Sequence, residues 1–143
     1  QIEKETNKNS LNIECIKIAV SNKNSFINKN FDQGSGTMYG SHFKGEKVNT
    51  KKLDSILEKK NINNIFLIKI DVEGHEPEVL EGSNNILKNT DNLYIEMWSD
   101  KHAEQRMKIK NSKHNEKILK HLNNFYPIQK IEKNVFFKSK NIL

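Results

Sequence analysis

Apolar positions fall in short clusters, separated by polar stretches rich in lysine and asparagine. The first cluster, IECIKIAV (residues 13–20), sets Ile16, Ile18 and Val20 on one face at a period of two and predicts a strand. Residues 21–49 hold four of the six glycines and read as short strands with loops, with Gly34-Ser35-Gly36 marking a turn. Thr50 stands where it would cap a helix through KKLDSILEKK, in which Leu53, Ile56 and Leu57 recur at helical spacing; Asn61 ends it. IFLIKI (residues 65–70) is apolar on both faces apart from Lys69, the pattern of a central parallel strand covered by helices on both sides. Pro77 suits the first turn of a following helix, whose buried stripe would be Val79, Leu80, Ile86 and Leu87, interrupted by Gly82.

NLYIEMW (residues 92–98) predicts a second buried strand, and the polar residues 99–114 a loop or lid. NEKILKHLNNF (residues 115–125) predicts a helix with Ile118, Leu122 and Phe125 on one side. Residues 126–139 predict two strands in a tight antiparallel hairpin about Glu132-Lys133-Asn134. Residues 1–12 read as a linker, a helix end or a frayed terminus. Strands alternating with helices argue an α/β fold whose sheet is mostly parallel, with an antiparallel strand at its C-terminal end.

A chain of 143 residues suits one domain of about 100–150 residues. Its 24 basic and 18 acidic residues leave a net charge of +6, a balance that favours anionic partners. The lysines are dispersed, however, and aromatic residues are not interleaved with them, so nucleic acid is not the expected partner. The single cysteine, Cys15, allows no intrachain disulfide and is expected to be a small core residue. No apolar run nears the roughly 18 residues of a membrane helix and the first twelve residues contain no signal peptide, so a cytoplasmic protein without membrane association is expected.

The acids change this picture most. Five of them, Asp71, Glu73, Glu76, Glu78 and Glu81, crowd the segment that begins where the apolar run 65–70 ends. In open α/β sheets, ligands bind outside the carboxyl ends of the strands. Asp71 and Glu73 stand at such an end, and Glu96 stands close to the end of the next strand. If the two strands are neighbours, three carboxylates converge on one rim, where charge is costly unless it binds something. Glu76, Glu78 and Glu81 are expected to favour the start of a helix through its dipole or to face solvent. His75 is a candidate base near neutral pH. Trp98 is expected to pack at the strand end. The alternating spacing of Asp71, Glu73 and His75 does not match a zinc pattern such as HExxH, and no dedicated metal site is expected.

The segment NIFLIKIDVEGHEPEVLEGSNNIL followed by NLYIEMW resembles the central part of the FkbM family of S-adenosylmethionine-dependent methyltransferases. The upstream IKIAVSN and VNTKKLDSIL are similar to that family's third strand and to the helix before its fourth strand. The resemblance spans roughly residues 13–100, and the closing helix and hairpin fit the end of a class I methyltransferase sheet. It implies a Rossmann-like sheet and methyl transfer from S-adenosylmethionine to a hydroxyl of a sugar, polyketide or other small molecule. It implies that Asp71 lies by the methionine moiety and the transferring methyl, that Ala19, Val20 and Ser21 border the adenine, and that Glu73, Glu76 and Glu96 match the family's other acids. Asp71, Glu73 and His75 remain alternatives for the base that assists a hydroxyl acceptor.

The family's first two βα units, with their glycine-rich loop, have no counterpart in this sequence, which opens on Gln1. The expectation is therefore that residues 1–143 form the C-terminal half to two-thirds of such a domain and bind S-adenosylmethionine weakly by themselves. The alternative is a non-catalytic remnant or a basic module for nucleic acid.

Overall fold

The computed structural model describes residues 12–32, 35–37, 46–107, 110–111 and 113–142. Among the described residues, eight strands run β1 (Ala19–Val20), β2 (Ser25–Asp32), β3 (Ser35–Thr37), β4 (Glu46–Lys51), β5 (Ile65–Ile70), β6 (Thr90–Glu96), β7 (Phe125–Ile131) and β8 (Asn134–Ser139). Four α-helices of the described residues, α1 (Leu53–Glu58), α2 (Glu76–Glu81), α3 (Asp100–Met107) and α4 (His114–Leu119), lie among them. The strands form two sheets, ordered β1-β4-β2-β3 and β5-β6-β8-β7. The expected α/β class holds, but the sheets are mixed rather than mostly parallel. Among the described residues, β1/β4 and β5/β6 pair in parallel, while β2/β3, β2/β4, β6/β8 and β7/β8 pair antiparallel.

The second sheet carries the core. Ile70, Leu93, Ile95, Phe125, Val135 and Phe137 from its strands pack with Val79 and Leu80 of α2, Leu87, Ile118 of α4 and Leu122. The run 65–70 forms β5 over the expected residues, yet β5 is an edge strand among the described residues. Phe66 is 76% exposed and Leu67 47% exposed, and of the six residues only Ile70 is fully buried. An apolar strand reads alike at the centre or the edge of a sheet, because its neighbours are set by distant sequence.

Other expectations shift for identifiable reasons. The strand over 13–20 contracts to Ala19–Val20, and Ile13 and Ile16 are exposed along with Cys15, which is no core residue. Thr50 does not cap α1. It ends buried in β4, its hydroxyl donating to the Lys23 carbonyl and accepting from the Ser25 N–H, and Lys52 takes the N-cap position. The stripe of Val79, Leu80, Ile86 and Leu87 is buried, but across α2 and a short 3-10 turn (Ile86–Asn89) rather than on one helix. Asp54 of α1 accepts from the N–H groups of Asn85 and Ile86 and so fastens that turn. Of the loop or lid over 99–114, residues 100–107 are α3, opened by Ser99, whose hydroxyl accepts from the His102 N–H. The helix over 115–125 is cut to α4, and Phe125 already begins β7. The closing hairpin forms as expected, with Ile131 opposite Asn134. In the turn at 34–36, Ser35 and Gly36 lie in β3, while Gly34 is outside the described residues.

Candidate functional site

The parallel pair β5/β6 sets the geometry. Ile70 is level with Ile95, so Asp71 and Glu96 follow at matching positions on strands about 4.8 Å apart. Two positive φ angles turn the chain after Asp71: Glu73 at 54° and Gly74 at 98°. Gly74 is required twice over, since a Cβ there would also lie 2.9 Å from Cζ3 of Trp98.

Each rim carboxylate carries a cation. Lys69 Nζ lies 3.0 Å from Asp71 Oδ2, Arg106 of α3 lies 3.6 Å from Glu73, and Lys133 of the hairpin turn lies 3.0 Å from Glu96 Oε1. The hydrogen bond to Glu96 and that carboxylate's charge hold Lys133 above the usual lysine range, with Glu73 and Asp71 adding to the effect. Lys69 is raised first by its bond to Asp71 and then by that charge, with Glu96 contributing as well. The three acids thus share one electrostatic rim. Glu96 is 6% exposed, and its second oxygen is buried with no hydrogen-bond partner among the described residues. The hairpin turn is also tied down by its backbone, since the Met97 N–H donates to the Lys133 carbonyl at 2.7 Å.

The remaining expected site residues are placed differently. His75 is buried, with Nε2 2.9 Å from Ser21 Oγ and Nδ1 3.5 Å from Glu78 Oε2. Ser21, His75 and Glu78 therefore line up in the order of a hydrolytic triad, but Ser21 is only 3% exposed, and the line works as a strut joining the end of β1 to the start of α2. Ala19 and Val20 are half-buried in β1. Of the acids expected to serve the helix start, Glu81 is exposed and accepts from Asn22, and Glu78 faces His75. Glu76 is instead fully buried, with Oε1 accepting from the N–H groups of Val72 and Gly74. Trp98 packs as expected, its ring edge-on to His102 and stacked on His114. No pattern in the sequence marks Lys133, Arg106 or His114 as a site residue. Only a cation next to a hairpin turn hinted at Lys133, and the other two depended on helices unseen or misplaced. Among the described residues, no three His, Cys, Asp or Glu side chains gather as a metal site would need, and no helix is long and apolar enough to cross a membrane.

Burial pushes the His75 pKa below its ordinary 6.5, against the opposing pull of Glu78 and Glu76. The unfolded chain then takes up the proton at a higher pH than the folded one. Stability is full above about pH 6.5 and falls as pH drops toward the lower folded value, by at most about 1.4 kcal/mol per pH unit. Urea midpoints measured at pH 7.5 and 5.5 are expected to show this loss, and His75→Gln is expected to flatten it. The partly buried His121, also lowered chiefly by burial, accounts for a residual slope. Equal slopes in the two proteins would remove His75 as the cause.

An α/β chain with acids gathered at the ends of neighbouring parallel strands has the outline of the class of folds whose ligand sites lie outside the carboxyl ends of the strands. Within that class it is a methyltransferase domain: the model of the methyltransferase FkbM domain matches residues 3–126, and the chain belongs to that family. No curated protein and no solved structure gives a significant match.

Proposed function

We propose that this chain transfers a methyl group from S-adenosylmethionine to a hydroxyl oxygen of a small molecule or glycan, at the rim formed by Asp71, Glu73 and Glu96. The observation that carries the reading is this set of three acids on adjoining strand ends, in a chain of the FkbM family. When bound, the donor supplies an activated methyl on a sulfonium. The chemistry of the rim suits it, since carboxylates attract a sulfonium and an ammonium, and the orphaned Glu96 oxygen suits an N–H or O–H donor. The fit is poorer at the proposed adenine side. Ser21 already spends its hydroxyl on His75, which leaves Ala19 and Val20 for that role.

The residues divide the work. Asp71 is the most accessible of the three rim acids and stands first as the group that takes the hydroxyl proton while the oxygen–carbon bond forms and the carbon–sulfur bond breaks. Glu73 and Glu96 hold positive charge close by, and Lys69, Arg106 and Lys133 are the cations a bound sulfonium would displace or share. Both ring nitrogens of His75 already face partners, so His75 is a support rather than the base. Positioning of oxygen, carbon and sulfur in line supplies much of the rate in such transfers. Α3 flanks the rim through Arg106 and is the described segment best placed to face an acceptor.

The test is transfer of labelled methyl from S-adenosylmethionine to a panel of hydroxyl compounds and glycans, with products resolved by mass. Label on a hydroxyl oxygen supports the reading, and label found only on nitrogen or carbon, or none transferred, overturns it.

A further inference from the structure

Among the described residues, the two most deeply buried ionisable side chains belong to neither the rim nor the strut. Glu76 is 0% exposed and His114, the first residue of α4, is 1% exposed. A carboxylate shut off from water is tolerated only where its oxygens are met by donors. Oε1 accepts from the Val72 N–H at 3.1 Å and the Gly74 N–H at 3.2 Å. Those two groups bracket Glu73 in the turn that begins at Asp71. Oε2 stands 3.3 Å from Nε2 of His114, within ion-pair reach but without hydrogen-bond geometry, and neither atom has a hydrogen-bond partner among the described residues. The imidazole also stacks on Trp98, with ring centroids 5.9 Å apart, and Trp98 in turn closes over Gly74. The turn is thus gripped on one side through its N–H groups and on the other through its glycine, and both grips meet at His114.

We propose that His114 is a positioning residue that acts through Glu76 to hold the Asp71–Gly74 turn in its reactive shape, linking α4 to the carboxylate rim. The inference rests on the reading that Asp71 and Glu73 face the reacting groups. The turn needs such a hold, because Glu73 occupies the left-handed region without being a glycine. Two hydrogen bonds to one charged oxygen offset that cost, and their strength depends on where the carboxylate points. His114 fixes the direction by engaging the other oxygen. Without that contact the carboxylate is free to turn, and the bonds to Val72 and Gly74 weaken together.

Amide hydrogen exchange by NMR tests this in the full chain without any substrate. In His114→Leu, which fills the volume without offering a donor, exchange at Val72 and Gly74 is expected to rise about tenfold or more, the equivalent of one hydrogen bond to a charged group. Exchange at Leu93 and Ile95 in β6 is expected to stay unchanged. His114→Gln, whose amide N–H can reach Oε2, is expected to restore the protection. Unchanged exchange at Val72 and Gly74 in the leucine variant, or a rise shared equally by Leu93 and Ile95, overturns the proposal. Should the leucine variant not fold, the glutamine variant decides: wild-type protection supports the proposal and its loss overturns it. Where transfer is measured, His114→Leu is expected to lower kcat about tenfold to a hundredfold with little change in the KM for the donor. A wild-type chain that transfers no methyl group defeats the functional reading and leaves the exchange result standing.

Discussion

Replacing Asp71 by asparagine is expected to lower methyl transfer by about a hundredfold or more while leaving thermal unfolding almost unchanged. The side chain is 42% exposed, and its ion pair is with Lys69, two residues earlier in the chain and 59% exposed. Exposed pairs of this kind contribute about 0–1 kcal/mol, so their loss does not endanger the fold. Asparagine keeps the shape and the local hydrogen bonding but takes up no proton and offers no charge to a sulfonium. Transfer rates and melting curves measured side by side separate the two effects. Full activity in the variant would remove Asp71 from the site, and unfolding would give it a structural role that its exposure does not suggest.

Gly82→Ala is expected to cost the fold about 3 kcal/mol, among the larger losses a single methyl group can cause. The usual expectation has the opposite sign. Gly82 has a φ of −80°, which alanine adopts freely, and such changes commonly stabilise by about 0.4–1 kcal/mol through the unfolded chain. Here the added Cβ would lie 2.1 Å from the carbonyl oxygen of Ser21 and 2.9 Å from its carbon. Both contacts are backbone, so no side chain can swing away. Relief requires α2 and the end of β1 to part, which strains the Ser21–His75 contact and the bond from the Asp54 N–H to the Gly82 carbonyl. Denaturant midpoints measure the change directly, and a stabilised or unchanged variant would mean that β1 does not pack on α2 as described. The same measurement bears on the rim, because the strut anchors His75, the residue that directly follows the 71–74 turn.

The glycine shows what could be read from the chain and what could not. In sequence Gly82 was only an interruption of an apolar stripe, since the backbone it touches lies some sixty residues earlier. Local signals were reliable where local chemistry decides the outcome. Pro77 opened its helix, the run 65–70 became a strand over the expected residues, and the hairpin closed about Glu132 and Lys133. They failed where a distant partner decides. Thr50 carries a cap residue's chemistry, but pairing with β1 and β2 drew it into a strand. Α3 buries only Ala103 and so has almost no apolar periodicity to detect.

The site divides along the same line. Acids at the end of an apolar run could be recognised without a structure, and the pairing of β5 with β6 sets Glu96 level with Asp71. Glu76 looked like its neighbours Glu78 and Glu81, yet it is the one that is sealed inside. That distinction rests on His114, on a helix predicted to begin one residue too late, and on the two N–H groups of a turn whose φ angles no pattern announces.

The central claim is that Asp71, Glu73 and Glu96 form the donor-facing rim, and NMR titration of the isotope-labelled chain with S-adenosylmethionine tests it most directly, even if binding is weak. The expected result is a set of shifts concentrated at the amides of residues 71–74 and 96–98, larger with S-adenosylmethionine than with S-adenosylhomocysteine, because only the former brings a sulfonium charge to the carboxylates. Shifts of equal size with both compounds would contradict the charge argument. Shifts confined to the groove of about 420 Å³ that Leu119, Phe125 and Pro127 line, with none at residues 71–74, would contradict the site itself.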